Sequence, residues 1–97
     1  MVNRDTIFAK LQSADLELNE LGVRSLAVFG SIARGDYTED SDLDILIDFS
    51  RPVGLFEFIR LKRFLEQITS CRVDLVTPDA LRPEMKTQIL QEAVHVR

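Results

Sequence analysis

Leu26-Ala27-Val28-Phe29 is a short, unbroken apolar run that stops abruptly at Gly30-Ser31, and a second apolar stretch opens a little later on Asp42-Leu43-Asp44. A run of that length without polar alternation suits a strand covered on both faces, so the chain has to build a sheet with helices packed against it. Gly30-Ser31 falls where such a strand gives way to a helix. Asp42 and Asp44 fall where the next strand begins. These two junctions constrain the fold more than any other feature of the sequence.

The remaining segments supply the helices. Ile7, Leu11, Ala14, Leu18 and Leu21 recur at spacings of four and three, the stripe of one amphipathic helix, with Asn3 as its N-cap and Gly22 as its stop. Residues 32–34 start a short helix, residues 35–41 are polar turn material, and Leu43 to Phe49 read as the second strand. After Pro52 and Gly54, the residues Leu55, Phe58, Leu61, Leu65 and Ile68 keep a helical period through about Thr69. Residues 72–76 read as a third strand and Thr77-Pro78-Asp79 as a turn. Leu81, Met85, Ile89 and Ala93 suggest a final helix, starting or broken near Pro83, while Val94-His95-Val96 is too short to assign. This order predicts an α/β (α+β) fold, a small sheet flanked by helices, with strand directions left undetermined.

At 97 residues and 45% apolar content, the expectation is a single domain over residues 1–97 with one modest core. No stretch approaches the roughly 18 to 20 apolar residues of a membrane span. The N-terminus lacks a secretory pattern, so a cytoplasmic protein without a membrane role is expected. Cys71 stands alone, which excludes an intrachain disulfide and a cysteine-rich metal cage. The formal net charge of -4 disfavours a polynucleotide substrate, because phosphate neutralisation supplies most non-specific affinity. A nucleotide is still compatible with it, provided divalent cations neutralise the carboxylates and the triphosphate together.

Taken singly, the polar motifs are ambiguous. Gly30-Ser31 can bring backbone N–H groups and a hydroxyl onto a phosphate, or can be a plain turn with Ser31 capping a helix. Asp42 and Asp44 share a strand face about 6.6 Å apart along the chain, a spacing that suits Mg2+ with its preference for carboxylates and substrate phosphates. With nine aspartates in the chain, however, one Asp-x-Asp is expected by chance, and Asp40-x-Asp42 is another. Asp48 lies too far along the strand to join the same ion and reads as solvated or structural. Asp74 is a charge between Val73 and Leu75, either a third metal carboxylate or the wet face of an edge strand.

Read as one unit, residues 30–36, Gly-Ser-Ile-Ala-Arg-Gly-Asp, followed by residues 41–47, Ser-Asp-Leu-Asp-Ile-Leu-Ile, closely resemble the signature of the DNA polymerase β-like nucleotidyltransferase superfamily. Asp74 in Val-Asp-Leu-Val resembles that family's third carboxylate. The small size and C-terminal pattern resemble the minimal nucleotidyltransferases, or MNT proteins, found as antitoxins of HEPN/MNT toxin–antitoxin pairs. The resemblance implies a mixed sheet with the nucleotide site at its edge. It implies nucleotide binding by Gly30, Ser31, Asp42 and Asp44, and metal binding and catalysis by Asp42, Asp44 and Asp74, with two Mg2+ ions and ATP as substrate. Arg34 and Gly35 match the family's Arg-Gly step, Arg34 either pairing with a local carboxylate or touching phosphate.

The activity implied is transfer of AMP from ATP to a hydroxyl, foremost a tyrosine of a cognate HEPN toxin. A protein acceptor fits a chain with no room for a second substrate-binding domain. Two alternatives stay open: an antitoxin that neutralises its partner by binding alone, and transfer to a small hydroxylated molecule. Self-association is also open. His95 reads as a surface residue, Tyr37 as an ordinary loop aromatic, and Arg60, Lys62 and Arg63 as the wet face of a helix. Phe56, Phe58 and Phe64 are expected in the core.

Overall fold

The computed structural model describes residues 3–97. Asn3 caps the first helix, its side-chain oxygen accepting from the Thr6 backbone N–H at 3.1 Å. The N-terminal stripe forms two helices rather than the one expected, α1 (Arg4–Ser13) and α2 (Asp15–Glu20). The Ser13 hydroxyl bonds back to the Lys10 carbonyl at 2.8 Å, a local competitor for helical bonding, and Ala14 leaves helical geometry at φ -90°, ψ 17°. The stripe survives the break, with Ile7, Leu11, Ala14 and Leu18 all buried.

From there the chain runs through β1 (Val23–Phe29), α3 (Gly30–Arg34), β2 (Leu43–Phe49), α4 (Leu55–Thr69) and β3 (Val73–Val76). A single 3₁₀ turn (Pro78–Ala80), α5 (Pro83–Glu92) and β4 (Val94–His95) complete it. Pro83 stands in the first turn of α5, where its missing N–H has no helical partner to lose. β4, too short to assign from sequence, pairs antiparallel with β1 at Ala27 and Val28. The sheet order is β3-β2-β1-β4, with β2 antiparallel to β1 and parallel to β3. The sheet is therefore mixed, as the resemblance implied.

Strand alternation divides the sheet's two faces. Leu26 and Val28 of β1, Leu43, Ile45 and Ile47 of β2, and Val73 and Leu75 of β3 pack into one core with α1, α2, α3 and α4. Each fully buried Leu or Ile there contributes about 1.5–3 kcal/mol. The opposite face carries Ala27 and Leu46, both buried, and the aspartates 44, 48 and 74. Asp48 is structural, paired with Arg24 at 2.6 Å beside the point where β1 shifts register. Phe58 and Phe64 pack against the core as expected, but Phe56 does not. It is 85% exposed, because the outer face of α4 meets no other element there. Among the described residues no helix is long and apolar enough to cross a membrane.

Candidate active site

The site lies at the end of the sheet where β1 stops and β2 and β3 start. Antiparallel pairing sets Phe29 opposite Asp44, and parallel pairing sets Asp44 opposite Asp74, so these three residues form a row across adjacent strands. In-register residues on neighbouring strands share a face, which makes Asp44 and Asp74 lateral neighbours. Asp42 immediately precedes β2. Its exposed carboxylate is turned onto Arg72, with Oδ1 3.1 Å from Nε. The sheet register thus sets Asp44 beside Asp74, while Asp42, two residues before Asp44, is directed at Arg72.

Their electrostatics are unfavourable without a counter-charge. Partial burial, then the neighbouring Asp74 and Asp42 charges, push the Asp44 carboxyl up to about 6; Arg34 opposes the shift, and Glu92 adds to it. As the side chains lie, no group of three or more His, Cys, Asp and Glu residues among the described residues converges on a single ion position. The Asp42–Arg72 pair accounts for part of that spread. The row nevertheless fits Mg2+ in donor chemistry and in charge: it offers hard carboxylate oxygens whose mutual repulsion a divalent cation relieves.

Beside the row, β1 turns directly into α3. Gly30 is the first helical residue and has φ +75°, a conformation open to glycine at no steric cost. Any Cβ at this position would also overlap the Asp44 carboxylate. The N-cap of α3 is Phe29, with no side-chain capping bond, so Ser31 lies inside the helix and does not cap it. Ser31 instead lines a cleft of about 370 Å³ with Phe29, Gly30, Arg34 and Asp44. The other wall of that cleft is α5.

Glu92, on α5, is the site residue that sequence reasoning missed. Its Oε1 accepts from the Gly30 backbone N–H at 3.2 Å and lies 3.3 Å from Arg34 Nη1. Arg34 also donates to Asp36 at 3.3 Å, and these carboxylates, Asp36 foremost, raise its pKa. Arg34 thus pairs with local carboxylates, the first of its two expected roles. The missed signal was a charge on the apolar stripe of the last helix, three residues beyond buried Ile89. Tyr37 and His95 behave as ordinary residues. The Tyr37 hydroxyl accepts from the Arg4 backbone N–H at 3.1 Å, and His95 is exposed on β4. A larger cleft of about 700 Å³, between Asp48 and Asp79 at the opposite end of β2, contains none of the carboxylate row.

Known proteins share this sequence pattern and fold. The nucleotidyltransferase domain model matches residues 11–96. Protein adenylyltransferase MntA of Thermococcus cleftensis is 41% identical over 97 residues, covering 99% of this chain and 98% of that protein. A solved structure described as a minimal nucleotidyltransferase superposes with a TM-score of 0.83 at 37% identity, over 95% of this chain and 94% of the other. The fold also matches a chain from the complex of a tri-AMPylated Shewanella oneidensis HEPN toxin with its MNT antitoxin. That match has a TM-score of 0.65 at 15% identity, over 93% of this chain and 71% of that one. With a family match across most of its length and a full-length relative at this identity, the chain belongs to the nucleotidyltransferase domain family as one of its minimal members.

Proposed function

We propose that this nucleotidyltransferase is a Mg2+-dependent protein adenylyltransferase antitoxin, moving AMP from ATP to a tyrosine hydroxyl of a HEPN-type toxin. The observation that carries this reading is the in-register Asp44–Asp74 row, with Asp42 beside it and the Gly30 turn against Asp44. Full-length similarity to a protein adenylyltransferase supports a protein acceptor. The shared fold with a chain of a HEPN–MNT complex whose toxin is AMPylated supports the partner class.

In this reading the backbone N–H groups opening α3 and the Ser31 hydroxyl hold the triphosphate. Asp42, Asp44 and Asp74 hold Mg2+, which when bound neutralises phosphate charge and acidifies the acceptor hydroxyl. The acceptor oxygen forms a bond to the α-phosphorus as the bond from that phosphorus to the bridging oxygen breaks. Pyrophosphate leaves with the electron pair, and the hydroxyl proton passes to a carboxylate oxygen of exposed Asp74. Gly30, lacking a side chain, leaves the space beside the turn to the Asp44 carboxylate.

The test incubates the protein with its co-encoded partner, Mg2+ and ATP labelled at either the α- or the γ-phosphate. The expected result is label on the partner from α-labelled ATP alone. Tight binding with no transferred label would overturn the enzymatic reading in favour of an antitoxin that acts by binding.

A further inference from the structure

The cleft beside the carboxylate row is walled on one side by α5. Met85, Gln88, Ile89 and Glu92 face it together, at the i, i+3, i+4, i+7 spacing of one helix stripe. Glu92 marks one end by its bond to the Gly30 N–H. Met85 lies seven residues back, about 10 Å along the helix axis at 1.5 Å per residue. Ile89 between them is buried, whereas Met85 is 48% exposed and Gln88 is exposed. An exposed thioether and an exposed carboxamide thus share the wall of the cleft that also holds Ser31 and Asp44, set back along α5 from Glu92.

We propose that this outer part of α5 is the nucleoside seat: Met85 packs against the face of the base and Gln88 reads its polar edge, favouring adenine. The proposal rests on the nucleotide reading above and deepens it. Methionine is flexible and polarizable, and its sulfur makes favourable contacts with aromatic rings. A carboxamide presents a donor and an acceptor side by side, which matches the amino group and ring nitrogen of adenine. The corresponding edge of guanine presents two acceptors. Glu92, at the phosphate end, has no part in choosing the base.

Calorimetric titrations with ATP, GTP and inorganic tripolyphosphate, each with Mg2+, separate the seat from the cradle. Gln88→Ala is expected to weaken ATP binding about tenfold, the scale of one lost hydrogen bond, and to bring ATP and GTP closer together. Met85→Ala should weaken both nucleotides about fivefold, with Met85→Leu recovering most of the loss. Neither variant should change tripolyphosphate binding, while Glu92→Gln should shift ATP and tripolyphosphate by the same factor. Thermal melts check that each variant is folded. If Met85→Ala and Gln88→Ala leave ATP binding at its wild-type value, or weaken tripolyphosphate equally, the seat is wrong and the phosphate cradle stands. If the wild type binds neither ATP nor tripolyphosphate, the nucleotide reading itself fails and takes the seat with it.

Discussion

The Asp44 carboxylate occupies the space into which a side chain on Gly30 would project, so the turn out of β1 and the first carboxylate of β2 are fitted to each other. Gly30→Ala therefore combines strain at positive φ with displacement of Asp44, and is expected to cost about 2–3 kcal/mol of stability and to abolish Mg-ATP binding. Gly35 has φ +88° but open space where its Cβ would stand. Gly35→Ala should cost only about 1–2 kcal/mol, the strain alone, and keep nucleotide binding. Urea denaturation and nucleotide titration of the two variants check the contrast.

Glu92 places a negative charge on the same N–H that the nucleotide reading assigns to phosphate. Glu92→Gln keeps an acceptor for Gly30 and removes the charge. Triphosphate binding should tighten by about three- to tenfold, a gain of roughly 1 kcal/mol from relieved like-charge repulsion. Calorimetry at low and high salt checks it, the gain shrinking as salt rises.

Asp44, raised to about 6, sets a pH dependence of defined sign. The folded metal-free chain holds this proton more tightly than the unfolded chain does. The stabilising contribution is therefore full below about pH 4, falls as pH rises, and is gone above about pH 6. Asp44→Asn should remove that slope and stabilise the metal-free protein at pH 7–8 by about 1–2 kcal/mol, solvent access reducing the full effect. The difference in urea midpoint between wild type and variant across pH 4–8 measures it. Mg2+ should bind more weakly as pH falls through 6.

Arg97 ties the C-terminal segment to α2 and β1, its Nε donating to the Val23 carbonyl at 3.1 Å, Nη2 to Asn19 Oδ1 at 3.1 Å, and Nη1 pairing with Asp15. Its side chain is only 19% exposed. Arg97→Ala is expected to cost about 1–2 kcal/mol by leaving these acceptors unpaired, with no change in nucleotide affinity. Denaturation and titration of one preparation check both halves.

The parts of the fold legible in sequence were those governed by local pattern. The alternation of Leu43, Ile45 and Ile47 marked β2 over the same span the structure has, and the α4 period held to Thr69. Asp42, Asp44 and Asp74 were legible as carboxylates near strand starts, but their adjacency required the parallel pairing of β2 with β3, which periodicity does not encode. The break at Ala14 depended on one side-chain-to-backbone bond from Ser13. β4 is two residues long and exists only through its pairing with β1. Glu92 meets Gly30 across 62 positions of sequence, and within its own helix it is one polar residue among several. Exposed Phe56 defeated the expectation that a large aromatic goes inside, because α4 offers more apolar surface than the sheet covers.

The central claim is that the Asp44–Asp74 row, with Asp42, carries nucleotidyl transfer. Its most direct test is single-turnover transfer from α-labelled ATP to the co-encoded partner by wild type, Asp44→Asn and Asp74→Asn, each shown to be folded and to bind the partner. Transfer by the wild type and a loss of about a hundredfold or more in both variants are expected. Transfer at the wild-type rate by either variant would contradict the claim.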